Sequence, residues 1–204
     1  MHTGASTIPF AGHAVGEQVS CQANIMASEQ VWPAMLAAYE QCNGPLADRL
    51  LAALDAAELQ GGDARGRQSA AILVVPADGA PWDTVVSLRV EDHPEPLPEL
   101  RRLMSLHDAY ALAARADELV NDGRHAEAAE LYREASELAP DNHELRFWAG
   151  LGAAQAGDVD AAVEHVRAAI ELQPGWLEVL PLIPPEVAPS ARTVLAELQR
   201  SHSR

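Results

Sequence analysis

In the run Gly61-Gly62-Asp63-Ala64-Arg65-Gly66-Arg67-Gln68-Ser69-Ala70, a carboxylate, two guanidinium groups and a carboxamide fall within six consecutive positions. An arginine presents a planar fork of donors that matches a carboxylate or phosphate, and a glutamine amide offers a donor and an acceptor to a substrate amide. The run lies between a helical pattern and an apolar segment, and side chains at a strand entrance are placed to line a cleft. Asp63, Arg65, Arg67 and Gln68 are therefore candidates for an anion or carboxylate site, and Asn24, at the end of another extended segment, is a candidate amide donor. The plainer reading is preferred: Asp63 and the arginines tie down the turn after a helix, and Asn24 is a buried, satisfied amide.

Other chemistries find less support. Asp92-His93 pairs an acid with an imidazole, but adjacent residues on an extended chain point to opposite faces, so a turn-stabilising role is preferred over a dyad. The 8 histidines form no HExxH motif and no i, i+4 helical pair, so no metal or cofactor is expected, and His125, His143 and His165 read as surface residues. Cys21 and Cys42 have neither CxxC nor zinc spacing and are expected to be reduced and structural. All 14 basic residues are arginine, which removes lysine Schiff-base and Walker-type chemistry, and against 30 acidic residues they leave a formal net charge of −16. That charge repels phosphate backbones and anionic lipid, so neither nucleic acid nor membrane is an expected partner. No apolar run is long enough to span a bilayer and no secretory leader is evident, so a cytoplasmic location is expected.

The candidate residues need elements to hold them. Residues 5–10 and 17–25 read as short strands of weak periodicity. A helix is expected from Ser28, as N-cap, to about Gln41, with Pro33 tolerated in its first turn. A second follows Gly44-Pro45, its apolar face marked by Leu46, Leu50, Leu51 and Leu54, and ends at Gly61-Gly62. Residues 69–76 and 84–90 read as two buried strands joined by an Asp78-Gly79 turn. Two helices on strands make an α/β (α+β) layer arrangement.

Three stretches, Gln22-Ala23-Asn24-Ile25-Met26, the Gly61–Ala70 run and Leu88-Arg89-Val90-Glu91-Asp92-His93-Pro94, resemble the C-terminal half of a bacterial family, domain of unknown function 1028. The opening His2-Thr3-Gly4 and Ala11-Gly12-His13 also resemble it, and the resemblance covers roughly residues 2–106. It implies a fold similar to the N-terminal-nucleophile (Ntn) hydrolases, with two sheets sandwiched between helix layers. Thr7 and Phe10 stand where many relatives carry cysteine and tryptophan, which argues against a thiol role there. The match begins in the middle of the family's domain, so the preceding strands are expected to be absent. An Ntn-type nucleophile must also be the first residue, activated by its own α-amine. His2 after Met1 disfavours that arrangement, and no catalytic residue is assigned.

From Leu106 the pattern is helical and repeats every 34 residues: Gly123 with Gly157, Ala128 with Ala162, Ala135 with Ala169, Pro140 with Pro174. This resembles a pair of tetratricopeptide repeats. The first hairpin is expected over Asp108–Val120 and Arg124–Leu138, the second over Asn142–Ala156 and Val159–Leu172. Small residues at Ala116, Ala128, Ala135, Gly150, Ala162 and Ala169 would let the helices cross closely. Two repeats are fewer than a free-standing array needs, so Ser190–Arg200 is expected to cap them after an irregular connector at Pro181, Pro184-Pro185 and Pro189.

The expected organisation is a partial Ntn-hydrolase-like domain at residues 1–106 and a helical-repeat module at 107–204. The expected function is a protein-interaction module that takes a protein or peptide through the repeats. The alternative is an amidohydrolase-type enzyme active only with the missing segment or a partner chain. Exposed strand edges make a homo-oligomer expected as well.

Overall fold

A computed structural model describes residues 3–8, 10–80 and 82–202, so His2 of the opening motif and Pro9 of the first expected strand lie outside the described residues. The chain divides into two compact units, Met1–Met104 and Ser105–Arg204. Among the described residues they make a mixed α/β protein with eight helices and two small antiparallel sheets.

In the first unit, β1 (Gly12–Gly16) and β2 (Val19–Ala23) form a hairpin closed at Glu17-Gln18, where Gln18 takes a φ of 58°. The described part of 5–10 is not a strand: the Thr7 hydroxyl and amide both donate to the Gly4 carbonyl and hold a turn there. Helix α1 (Val31–Gln41) packs on this hairpin and pairs with α2 (Leu46–Leu59), with the Arg49 guanidinium 3.9 Å from the centre of the Tyr39 ring. Ser28 does not cap α1; its hydroxyl donates to the Gln60 carbonyl at 2.9 Å and fastens the approach to α1 onto the end of α2. Pro33 lies in the first turn of α1, where its missing N–H costs nothing.

On the other side of α2 lies a second hairpin, β3 (Ala70–Val74) paired antiparallel with β4 (Val86–Val90). The two helices thus pair with each other and each takes one hairpin, rather than flanking a shared sheet. Nor are these strands buried on both faces: Ile72, Val86 and Val90 face the core while Leu73 is 63% exposed. The apolar run at 70–75 hid a half-buried alternation, because both faces carry aliphatic side chains. Between the strands the Asp83 carboxylate accepts from the Ala80 amide, a second tie beside the expected Asp78-Gly79 turn.

Helix α3 (Pro96–Asn121) starts twelve residues before the expected repeat helix at Asp108. Its prolines, Pro96 and Pro98, sit in the first turn, where neither interrupts an intrahelical hydrogen bond. Leu97, Leu100 and Met104 close the core of the first unit with Leu51, Ile72 and Val90.

In the second unit the end of α3 turns at Gly123 into α4 (His125–Leu138), and α5 (His143–Ala156) turns at Gly157 into α6 (Val159–Leu172). The Asn142 side chain accepts from the Glu144 and Leu145 amides, both at 3.0 Å, and Asp158 caps α6 in the same way. All six of the small residues are buried, and at Gly150 the fit is tightest: an added Cβ would lie 2.6 Å from Val166 Cγ2 and 2.9 Å from the Ala162 carbonyl oxygen. Past α6 the connector is partly helical, with α7 (Trp176–Val179) running into a 3-10 turn at Leu180–Leu182. Trp176 stacks on the fully buried Phe147 ring at 4.1 Å and donates from its indole to His143 Nδ1 at 2.9 Å. Finally α8 (Ala191–His202) lays Val194 and Leu198 on Val166 and Ala169, and the buried Ser190 hydroxyl donates to the Leu151 carbonyl.

Candidate functional site

The loop between α2 and β3 is zipped to the segment after β2. Ala27 donates to the Gly62 carbonyl at 2.9 Å and Ala64 to the Ile25 carbonyl at 2.8 Å. Beside this seam is a cleft of about 670 Å³, walled by the end of β2, the loop, and side chains of α1, α2 and the start of α3. Asn24, Asp63, Arg65, Arg67 and Gln68 all line it. Phe10 and Ile25 both hold φ near 60°, a costly conformation for a bulky or β-branched residue, and the Phe10 carbonyl accepts from the Met26 amide just past Asn24.

The arginines of the cleft are matched internally. Arg65 makes a two-pronged contact with Asp63, Nε to Oδ1 at 3.0 Å and Nη2 to Oδ2 at 2.7 Å. Those hydrogen bonds hold the Asp63 carboxyl well below its ordinary value, to about 2, and push the Arg65 guanidinium up. Arg67 donates to Glu58 on α2, with Glu95 also 3.9 Å away. Both guanidinium groups therefore tie the loop to itself and to α2, and neither is a free anion receptor. Asn24 is exposed rather than buried, and like Gln68 its amide has no hydrogen-bond partner among the described residues. Two open carboxamides are what the cleft presents. The His93 ring is no partner of Asp92: its Nδ1 accepts from the Glu95 amide at 3.0 Å, at the start of α3, while the His93 amide donates to the Gln68 carbonyl. Nothing in the sequence marked Glu58 as the partner of Arg67, because the pairing spans a helix end and a turn.

The second unit has a groove of about 570 Å³ along α3 and α5, closed at one side by the connector at Glu186–Ala188. Its lining comes from equivalent places in the two hairpins: Tyr110 and Glu144, Ala114 and Trp148, Asp117 and Leu151, Asn121 and Gln155 are each 34 residues apart. The sequence period was legible, but this face of it was not used; projecting the repeat onto the first helix of each hairpin would have found it. The Tyr110 hydroxyl donates to Glu144 Oε2 at 2.6 Å and accepts from the Asn142 amide at 3.3 Å, and the Tyr132 hydroxyl donates to Asp117 Oδ1. Burial and the Asp117 carboxylate raise the Tyr132 phenol far above its ordinary value, so it stays a donor.

His125, His143 and His165 are half-buried rather than surface residues. His125 and His165 each bury an Nδ1 with no partner among the described residues. Burial, followed by the nearby Arg146 charge, lowers the His165 pKa. Both cysteines are free thiols; Cys21 is buried and its thiol is pushed up by burial and then by the Glu40 charge. Among the described residues no group of three or more His, Cys, Asp or Glu could hold a metal ion, and no helix is long and apolar enough to cross a membrane.

A family model described as a family of unknown function (DUF1028) matches residues 1–100, nearly all of the first unit. No curated protein matches the chain.

Proposed function

We propose that this chain is a protein-interaction module in which a tetratricopeptide-like helical pair is carried by an Ntn-hydrolase-like domain. The observation that supports the reading is the groove on the second unit. Its walls repeat at the 34-residue period, and tyrosine hydroxyls hold two of its carboxylates. An array whose first helices share one lined face offers a continuous surface to a partner, while the capping helix α8 shields the apolar side of α5 and α6. The partner is a protein or peptide held in the groove, and copies of the chain associate through the open strand edges and exposed apolar face of the second hairpin.

The test places a photo-crosslinking residue in the full chain at Ala114, in the groove, or at Arg167, exposed on α6. Protein adducts are expected from position 114 and not from 167. Equal labelling from both positions, or none from either, removes the reading.

A second reading, an amidohydrolase-type activity completed by a further segment or partner chain, draws on the open carboxamides of Asn24 and Gln68 beside a cleft with strained backbone. Such amides could orient an amide substrate, and a substrate screen on Asn24→Ala and Gln68→Ala variants would separate it from the first.

A further inference from the structure

The arginines and the acids of the second unit are sorted in space. On the outer faces arginine finds carboxylate within a turn of the same helix or beside it: Arg124 with Glu127, Arg133 with Glu130 and Glu137. In the groove no such pairing exists. Asp117, Glu144 and Glu186 line it, and none of the chain's 14 arginines does so among the described residues. Asp117 and Glu144 each receive one tyrosine hydroxyl, which orients the carboxylate while leaving its charge uncompensated. Glu186 has no hydrogen-bond or ion-pair partner among the described residues. Trp148, half-buried, lines the same groove, its ring set edge-to-face with Phe147 at 5.6 Å between ring centres. An aromatic face with fixed carboxylates near it suits a guanidinium or ammonium group, which stacks on the ring and points its donors to the acids.

We propose that the occupant of this groove is a basic segment of a partner protein, extended and bearing arginine or lysine. The proposal rests on the interaction reading above and adds the chemistry of the partner to it. Charge complementarity carries it: a groove with three carboxylates and no fixed cation rejects an acidic peptide and gains from a basic one.

The full-length protein is titrated with three fluorescein-labelled nonapeptides: alternating Arg-Ala, alternating Glu-Ala, and a neutral Gln-Leu-Ala sequence. Anisotropy is read at low and at moderate salt. Glu144→Gln and Glu186→Gln remove groove charge and keep side-chain shape, and Glu171→Gln removes a charge from exposed α6 as the control. The expected result is binding of the Arg-Ala peptide that weakens about fivefold in each groove variant, as one partly screened ion pair does, weakens with salt, and is unchanged in Glu171→Gln. Equal loss in all three variants means attraction to net charge alone and overturns the proposal. Groove-sensitive binding of the neutral or the acidic peptide overturns the basic occupant while leaving the interaction reading in place. No binding by any peptide also overturns it, and the crosslinking at position 114 then decides the interaction reading separately.

Discussion

Two titrating groups, one buried and one half-buried, answer to pH and to reagents in ways that can be measured. Because burial raises the Cys21 thiol, the thiolate is scarce there at pH 8 while Cys42 is half-exposed. A thiol reagent should therefore label Cys42 quickly and Cys21 only on unfolding; equal rates in native protein would contradict the burial. His165 shifts the other way. Its folded-state pKa lies below the ordinary 6.5, so the unfolded chain takes up a proton that the folded chain refuses. The stability this confers is present above about pH 6.5 and is lost as pH falls from there towards the folded value. The melting temperature of the helical signal should drop between pH 7 and pH 5 by more in the native sequence than in His165→Gln. Parallel curves would remove His165 as the cause. At this scale the sequence made Asp63, Arg65 and Arg67 legible as a cluster, and the cleft gathers them with Asn24 and Gln68. Their partners were not legible. Arg65 takes Asp63 two residues back, whereas Arg67 reaches Glu58 across the end of α2.

Helices were easier to read than strands, for a physical reason. The four helical segments from α3 to α6 follow from small residues at a fixed period, glycines in the turns and prolines after them, so each boundary lay within about two residues of expectation except the start of α3. That start was hidden because prolines suggest an ending, yet in a first turn they cost no hydrogen bond. Of the two expected strands, 17–25 contains β2 while 5–10 misses β1, since the turn between β1 and β2 uses Gln18 at positive φ with no glycine to signal it. Close crossing gives a prediction at this scale. Gly150→Ala gains about 1 kcal/mol of helix propensity, but its Cβ meets a backbone carbonyl at 2.9 Å that cannot rotate away. Overpacking of this kind costs about 1–3 kcal/mol, so the variant should be less stable by about 1 kcal/mol in chemical denaturation. A more stable variant would mean that α5 and α6 cross less tightly.

For the whole molecule the dominant quantity is the formal net charge of −16. Copies of the chain repel one another at low salt, while Leu73, Val75 and Val85 expose an apolar face on a two-stranded sheet. Self-association should therefore rise with ionic strength, as the screening length falls from about 10 Å at 0.1 M to about 3 Å at 1 M, and Leu73→Arg should suppress it. Sedimentation that shows a monomer at every salt concentration would exclude association through this face. The periodicity changes near Leu106 and the compact units divide after Met104, but the pairing of each hairpin with its own helix was not legible, because packing partners leave no mark on a local pattern. The short helix α7 bears on the size of what can be held. It begins at Trp176, at the place where a third repeat would begin, and Pro181 with Pro184 and Pro185 stops it after four residues. With neighbouring helix axes about 8–10 Å apart, a surface limited to two hairpins and the connector is roughly 20 Å long, or about six residues of extended chain. On the proposed reading the prolines act as a ruler: a segment held in the groove would meet it over a short word of about six residues.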